Sequence, residues 1–273
     1  MRIGIDLGGT NIRVARVENG MIVAKVTASC PAKEDEQTVL HALEKLIGQL
    51  ICPEVESIGI GVPSIVDSKE GVVYNVANIP AWKEVPLKQL LEARFGIPVY
   101  VNNDSNCFAL GVKNFGEGKP YSDMVGITLG TGVGSGIVIN GRLYNGRNTG
   151  AGEIGSLPYL EHDFEHYCSS NFFVRYYGLT GKEAGSKAAE GDVRALGIWT
   201  EFGTHLGNLM KAVLFTYDPE AIIIGGGIAS AFRYYEQAMW KVLHTFPYLE
   251  TVKNLQIIVS QRGDAALLGA SAL

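Results

Sequence analysis

The sequence predicts an α/β fold that is built twice, with a cleft between its two halves. Three observations carry this prediction: the chain length, a repeated pattern of glycine-rich turns, and the alternation of helices and strands that follows each repeat. At 273 residues the chain exceeds one ordinary core, so two lobes are expected. Its content of 47% hydrophobic and 19% charged residues is that of a folded globular protein.

The elements of the first half are predicted from short apolar runs and from helical spacing of apolar residues. In order they are strands at 2–7, 12–17 and 22–28, a helix over 39–50, a strand at 57–62, a helix at 87–95, a strand at 99–101 and a helix after 103. The first two strands are separated by Gly8-Gly9-Thr10, and the next turn contains Asn19-Gly20, a hairpin signal.

The second half repeats this pattern, because an apolar strand again ends in a Gly/Thr turn, here Gly130-Thr131-Gly132, and a later turn is again Asn-Gly. Its predicted elements are strands at 124–129, 137–139 and 142–144, a helix at 194–217, a strand at 221–224, a helix to about 244, a strand at 255–259 and a final helix. We therefore place one lobe at residues 1–117 together with 263–273, and the other at 118–262.

Composition excludes several classes of function. The net charge of −5 and the absence of a basic patch argue against nucleic-acid binding. The longest apolar run, 221–231, is shorter than the roughly 20 residues of a membrane span, so no membrane association is expected. No signal-peptide pattern precedes the first strand, and a cytoplasmic location is predicted. The four cysteines form no CxxC pair, which argues against a disulfide framework or a zinc ribbon.

Both glycine-rich turns have the composition of a phosphate site, which needs exposed backbone N–H groups and often a nearby hydroxyl or carboxylate. The first turn follows Asp6, and the second follows Thr128. Either turn alone is a weak signal, but two copies at equivalent places strengthen it. No GxxxxGK[ST] motif occurs, and the single GxGxxG at 150–155 neither follows a clear strand nor opens a helix.

The segment Asn102-Asn103-Asp104-Ser105-Asn106 lies where a strand ends and a helix begins. One interpretation is a helix N-cap, for which Asn, Asp and Ser are all suited. The other is a carboxylate, Asp104, that accepts a proton from a substrate hydroxyl while Asn103 binds a neighbouring hydroxyl. The residues alone leave both interpretations open.

Several segments together resemble the ROK kinases, sugar kinases of the actin-like ATPase superfamily, over nearly the whole chain. IGIDLGGTNIRVA and ITLGTGVGSGIVINGRL resemble the two phosphate motifs, and DPEAIIIGGGIA resembles the adenosine turn. NIPAWKEVPL and VNNDSNCFALG resemble the sugar-recognition and catalytic segments, and GAGEIG the acidic sugar-binding motif. The resemblance implies a duplicated ribonuclease-H-like/actin-like ATPase fold, with two lobes around a cleft, that uses ATP and Mg²⁺.

The resemblance also implies roles for individual residues. Asp104 would be the general base that takes the proton of the attacking sugar hydroxyl. The residues expected to bind the sugar are Asn78, Asn103, Asp104 and Glu153. Asp6 would act near Mg²⁺, directly or through water. The residues expected around the nucleotide are Gly8, Gly9, Thr10, Thr131 and Gly132 at the phosphates, and Gly226 and Gly227 near adenosine.

One segment departs from the family pattern. Ser156 stands where many members have a zinc-binding His, and Cys168-Ser169-Ser170 stands where Cys, an apolar residue and Glu are expected. The three-cysteine zinc site is absent, so zinc is not expected. A substitute site from His162, His166 and Cys168 is a less favoured alternative than a solvated loop with incidental histidines.

The resulting hypothesis is an ATP-dependent kinase acting on a hexose at its 6-hydroxyl, with glucose as the leading candidate and fructose, mannose and N-acetylmannosamine as alternatives. A second hypothesis is a non-catalytic sugar sensor. Strand one begins at residue 2, which leaves no helix-turn-helix before it and disfavours a DNA-binding repressor. A third is an actin-like ATPase without a sugar substrate, which Asn103, Asp104 and Glu153 argue against. The resemblance is also compatible with a homodimer.

Overall fold

The computed structural model describes residues 1–76, 78–147 and 149–273. In the first part of the chain the elements are β1 (Arg2–Leu7), β2 (Asn11–Glu18), β3 (Met21–Ser29), α1 (Glu36–Gly48), β4 (Ser57–Val62), β5 (Ile65–Asp67), β6 (Val72–Tyr74), β7 (Glu84–Val85), α2 (Leu87–Phe95), β8 (Val99–Asn103) and α3 (Asp104–Phe115).

The elements that follow are β9 (Met124–Leu129), β10 (Val133–Ile139), β11 (Arg142–Tyr144), β12 (Pro158–Tyr159), β13 (His162–Asp163), α4 (Phe164–Cys168), α5 (Ser170–Tyr177), α6 (Gly181–Ala189), α7 (Val193–Tyr217), β14 (Ala221–Gly225), α8 (Phe232–Leu243), α9 (Leu249–Asn254), β15 (Gln256–Val259) and α10 (Ala265–Ser271). Within the described ranges, no helix combines the length and the hydrophobicity that a membrane crossing requires.

The two large sheets have corresponding strand orders, β3-β2-β1-β4-β8 and β11-β10-β9-β14-β15. In the first, β1 pairs antiparallel with β2 and parallel with β4, and β4 pairs parallel with β8. In the second, β10 pairs antiparallel with β11, whereas β9, β14 and β15 run parallel. Each half of the chain therefore has a hairpin followed by parallel strands, which is the repeat seen in the sequence.

The predicted strands and helices of both repeats are present, and β1, β4, α2, β9 and β11 have the predicted bounds. The structure adds short elements for which the sequence analysis made no prediction. These are the small sheet β5-β6-β7, the hairpin β12-β13 and the helices α4, α5, α6 and α9.

The chain divides into two compact units. Unit 1 comprises Met1–Pro120, Gly136–Ala151 and Arg262–Leu273, and unit 2 comprises Tyr121–Ser135 and Gly152–Gln261. The sequence-based division, which stays a prediction, had assigned residues 136–151 to the other lobe. The structure places them in unit 1 because Gly136 packs on α3, where a Cβ at Gly136 would lie 2.9 Å from the Cα of Asn106.

In unit 1, glycines let α10 pack directly on the backbone of its neighbours. A Cβ at Gly59 of β4 would overlap the carbonyl oxygen of Ala270 and lie 2.7 Å from its carbonyl carbon. A Cβ at Gly111 of α3 would lie 2.6 Å from the carbonyl carbon of Ala265. Helix α10 is therefore an integral part of the core of unit 1.

In unit 2, the long helix α7 supplies much of the core. Trp199 and Phe202 of α7 are buried and pack on Phe173 of α5, with ring centroids 4.6 and 5.2 Å away. Tyr235 of α8 is buried against both α7 rings. Phe172 and Phe173 are both fully buried, so these two aromatic rings belong to the core of unit 2.

Candidate active site

The first glycine-rich turn of unit 1 carries Asp6 at the end of β1. The Asp6 carboxylate pairs with Arg13, Oδ2 to Nη1 at 3.2 Å, because the two residues face each other in the β1–β2 register. Burial raises the pKa of Asp6, and the neighbouring Arg13 only partly offsets this effect. The turn is closed by Gly8, whose N–H donates to the carbonyl of Asn11 at 2.9 Å.

Asn78, a predicted sugar-binding residue, lies directly against this turn. A Cβ at Gly9 would overlap the Cβ of Asn78 and lie 2.9 Å from its carbonyl oxygen. Only glycine allows this close approach of the turn to residue 78. The structure thus brings a predicted phosphate residue and a predicted sugar residue together within unit 1.

The N-cap interpretation of the Asn103-Asp104 segment applies to Asn103, which leaves Asp104 as the candidate proton acceptor. Asn103 is the N-cap of α3, with its Oδ1 accepting from the N–H groups of Ser105 at 2.9 Å and Asn106 at 3.3 Å. Its Nδ2 donates to the carbonyl of Ser64 at 3.2 Å, which fixes the amide orientation. Asp104 is the half-buried first residue of α3, and its Oδ1 accepts from Ser105 N–H at 2.8 Å.

Cys107 is a buried thiol near both Asp104 and Asp6. Its thiol is fully buried one turn along α3, and burial together with the negative charges of Asp104 and Asp6 raises the pKa of Cys107 well above its usual range. Both carboxylates therefore act on the same buried group of unit 1. A thiol so strongly held in its neutral form is a packing residue rather than a nucleophile.

In unit 2, the second glycine-rich turn follows β9. The N–H of Gly130 donates to the carbonyl of Gly132 at 3.0 Å, and the N–H of Val133 donates to Glu165 Oε2 at 3.0 Å. Gly226 packs against the end of β9, where a Cβ on residue 226 would lie 2.7 Å from the carbonyl carbon of Leu129. Its φ of +87° lies in the region that favours glycine. The predicted phosphate turn and the predicted adenosine turn are thus adjacent.

A cavity of about 730 Å³ opens beside these two turns. It is lined by Thr131, by Gly227 and by side chains of α6, α7 and α8 that include Lys182, Trp199 and Tyr234. Among the described residues that line it, the charged side chains are cationic, and none is acidic. Its size is that of a small-molecule site. Its cationic side chains suit an anionic ligand, and its aromatic side chains suit a ligand that carries an aromatic group.

Glu153, the predicted acid of unit 2, has a second carboxylate for a neighbour. Glu153 is exposed, but surrounding protein partly removes water from its carboxyl, and this desolvation together with the charge of Glu165 raises the pKa of Glu153. Glu165 was missed by the sequence analysis, which sought an acid at Ser170. The local sequence HDFEHYC does not mark Glu165 as a site residue, because Val133 and Glu153, which lie near it in the fold, are distant from it in the sequence.

Comparisons with known proteins give the evolutionary context of these residues. The profile of the ROK family matches residues 2–273. The chain belongs to the ROK family. It is 30% identical to the glucokinase of Thermotoga maritima, over 99% of this chain and 96% of that protein. It is 28% identical to the xylose repressor of Caldicellulosiruptor bescii, over 99% of this chain and 77% of the repressor.

Among solved structures, the ROK glucokinase of Streptomyces griseus in complex with glucose and AMPPNP matches this ROK chain with a TM-score of 0.85 and 29% identity. The match covers 99% of this chain and 98% of that one. The predicted family and the predicted α/β, actin-like ATPase class of fold are therefore confirmed.

The region where this ROK chain departs from the zinc-binding pattern is packed by aromatic rings. Tyr159 of β12 stacks on Phe164 of α4 at 4.3 Å between centroids, and its hydroxyl hydrogen-bonds to His205 Nδ1 at 3.1 Å. The rings of His162 and His166 stack at 3.8 Å. Across the described ranges, no group of three or more His, Cys, Asp and Glu side chains has the arrangement of a metal site. The expectation about zinc itself stays a prediction.

Proposed function

We propose that this ROK protein is an ATP-dependent kinase that transfers the γ-phosphoryl group to a hydroxyl of a hexose, with the 6-hydroxyl of glucose as the first candidate. The observation that carries the proposal is the position of Asp104 in unit 1, at the start of α3 and beside Gly61, the β4 partner of Asp6; a Cβ at Gly61 would lie 3.3 Å from the Cα of Asp104. The names of relatives, among them the Thermotoga maritima glucokinase, support a sugar as the small-molecule partner.

In this proposal Asp104 accepts the proton of the attacking hydroxyl as the bond to phosphorus forms. Its position is defined, because Asp104 begins α3 and its Oδ1 already accepts from the backbone of Ser105. Asn103 has one side-chain oxygen committed to capping α3, so it would contact a sugar hydroxyl through its remaining hydrogen-bonding capacity. Asn78 and Glu153 would bind further hydroxyls.

The residues of the first turn fit a divalent cation. Asp6 offers a carboxylate, the ligand type that Mg²⁺ prefers, and burial raises its pKa even with Arg13 beside it. A further positive charge would therefore stabilise the ionised form of Asp6. When bound with ATP, Mg²⁺ neutralises charge on the transferred phosphoryl group. Asp6 would hold it directly or through water.

The residues of unit 2 fit the nucleotide. Thr131 and Gly227 line the cavity, and Gly226, which precedes Gly227 in the chain, lies against the backbone of Leu129 in β9. We propose that Gly8, Gly9, Thr10, Thr131 and Gly132 contact the phosphates, and that Gly226 and Gly227 lie near adenosine. Lys182 adds a cationic side chain to the cavity wall, which complements the charge of a nucleoside triphosphate.

A non-catalytic sugar sensor is the second candidate, because the xylose repressor of Caldicellulosiruptor bescii is similar over 99% of this chain. The two candidates differ in turnover and not in sugar binding.

Fructose, mannose and N-acetylmannosamine remain alternative substrates of the kinase. The homodimer, the cytoplasmic location and the absence of nucleic-acid and membrane partners stay predictions.

The deciding experiment is coupled ADP release with Mg-ATP against glucose, mannose, fructose, N-acetylglucosamine and N-acetylmannosamine. We expect ADP release that depends on one of these sugars and on Mg²⁺. Sugar binding by calorimetry without any sugar-dependent turnover would instead favour the sensor. ADP release that is independent of all five sugars would favour an ATPase.

Replacing Glu165 by Gln is expected to shift the pH dependence of sugar use. Glu153 would accept sugar hydroxyls only as a carboxylate, and its raised pKa means that this form is lost at a higher pH than for an ordinary Glu. Glu165→Gln removes one cause of the raised pKa, so the acid limb of kcat/KM for the sugar should move to lower pH. Desolvation of Glu153 remains, so the shift should be partial.

The measurement is kcat/KM for the sugar as a function of pH at saturating Mg-ATP. Gln keeps an oxygen that accepts from Val133 N–H, so the second turn should stay in place. Glu161→Gln, an exposed acid of the same hairpin region, serves as the control and should leave the profile unchanged. An unmoved acid limb in Glu165→Gln, or one moved to higher pH, would contradict the prediction.

A further inference from the structure

Two buried asparagines lie on either side of the Asn103-Asp104 pair. The residues Asn102 and Asn106 are only 3% and 1% exposed. A buried amide is costly unless its polar atoms are hydrogen-bonded, so these side chains must be held by definite partners. The function proposed above gives neither of them a role.

Their hydrogen bonds form a network with Asn145, which follows β11. Asn102 Oδ1 accepts from the N–H of Asn103 at 2.8 Å and from Asn106 Nδ2 at 2.9 Å. Asn102 Nδ2 donates to Asn145 Oδ1 at 3.1 Å, and Asn106 Nδ2 lies 3.4 Å from the same oxygen. All three residues belong to unit 1.

The orientation of the three amides is determined by one backbone group. Because the N–H of Asn103 needs an acceptor, Asn102 must present its oxygen to it, and its nitrogen must then face Asn145. Asn145 must therefore present oxygen. Asn106 Nδ2 then donates to Asn102 Oδ1 and, over a longer distance, to Asn145 Oδ1. Asn106 Oδ1 is buried and has no hydrogen-bond partner among the described residues. The network thus has two acceptors, Asn102 Oδ1 and Asn145 Oδ1, and only Asn145 lies outside the segment that joins β8 to α3.

The segment that carries Asn145 is itself attached to unit 1. The N–H of Ala151 donates to the carbonyl of Asn145 at 3.4 Å. The buried Thr149 accepts through Oγ1 from the N–H of Val66 at 2.9 Å and also bonds to the carbonyl of Val66. Asn145 can therefore act as a fixed point for the start of α3.

We infer that Asn145 is a positioning residue which, through Asn102 and Asn106, holds the Asn103-Asp104 turn in the orientation that proton transfer requires. The inference rests on the proposed kinase function. Asn102 bonds to the backbone immediately before Asp104, and Asn106 lies in the first turn of the helix that Asp104 begins. A small displacement of a general base has a large effect on rate, because its oxygen must lie within hydrogen-bond reach of the hydroxyl.

The test compares Asn145→Leu, which has a similar size and no acceptor, with Asn145→Asp, which keeps the acceptor oxygen. With the preferred sugar, we expect kcat of Asn145→Leu to fall by about tenfold to a hundredfold. Its KM for Mg-ATP should stay near the wild-type value, and Asn145→Asp should recover most of kcat. Asn145→Ala, which adds no bulk, takes the place of the leucine variant if that variant does not fold.

Val112→Ala controls for stability, since it opens a cavity on the buried face of the same helix without touching the amides. Its Tm should fall while its kcat stays at the wild-type value. A kcat that is unchanged in Asn145→Leu or Asn145→Ala, with only Tm lowered, would overturn the inference. Equal losses in the leucine and aspartate variants would also overturn it. Absence of sugar-dependent turnover in the wild type would overturn the proposed function, and this inference with it.

Discussion

Replacing Asp104 by Asn is expected to remove sugar-dependent ADP release almost completely. Loss of a general base typically lowers kcat by a factor on the order of 10²–10⁴. Asn has the shape of Asp and keeps an oxygen for the N–H of Ser105, so α3 should still begin at residue 104. The amide has no basic oxygen, and it cannot take the proton of the attacking hydroxyl. The measurement is kcat for the best sugar at saturating Mg-ATP.

The matched control is Asp35→Asn. Asp35 is also a carboxylate of unit 1 at the start of a helix, where its Oδ1 accepts from the N–H of Thr38 at 2.9 Å. The control should keep its kcat, and both variants should bind the sugar. A folded Asp104→Asn protein with more than about a tenth of the wild-type kcat would show that another group takes the proton.

The second large effect is expected on stability, in the variant Gly59→Ala. The added methyl group would meet the carbonyl group of Ala270, a backbone group of α10 that cannot rotate away. Relief requires α10 to move away from the sheet, which also disturbs the packing of the buried Leu267 and Leu268. Overpacking of this kind costs roughly 1–3 kcal/mol, and a backbone clash belongs at the upper end. We expect Tm to fall by several degrees or more.

Gly48→Ala is the control for this variant. Gly48 is the last residue of α1, and a Cβ there would have no atom within 4 Å. Alanine has the higher helix propensity, so Gly48→Ala should be neutral or slightly stabilising. Thermal unfolding followed by circular dichroism measures both variants. Equal Tm values for Gly59→Ala and the wild type would mean that α10 does not pack on β4 as described.

The central strands β4, β9 and β14 could be predicted from the sequence because they are buried on both faces. Residues 57–62 form a nearly continuous apolar run with small residues, and the structure buries all but the first of them. The sheet β5-β6-β7 could not be predicted in the same way. Its strands have two or three residues each, and such short pairs are specified by their tertiary neighbours rather than by a local pattern.

For the candidate site, the sequence indicates the residues that lie within a motif. It does not indicate the residues that come from distant parts of the chain. Asp6 and Asp104 directly precede or begin a recognisable turn or helix. Arg13 is found only from the β1–β2 register. Asn145 reaches Asn102 across 43 residues, and Glu165 reaches Val133 across 32. No local periodicity records such pairings, so a single sequence cannot reveal them.

The packing of α10 on Gly59 and Gly111 also bears on the order of events during protein synthesis. Residues 1–120 form most of unit 1, yet the helix that completes its core is encoded some 145 residues later, at Ala265–Ser271. The ribosome must therefore synthesise all of unit 2, which ends at Gln261, before α10 can complete the core of unit 1. Until then the apolar surface of unit 1 that Leu267 and Leu268 cover stays exposed in the nascent chain. Chaperones bind exposed apolar surface of this kind.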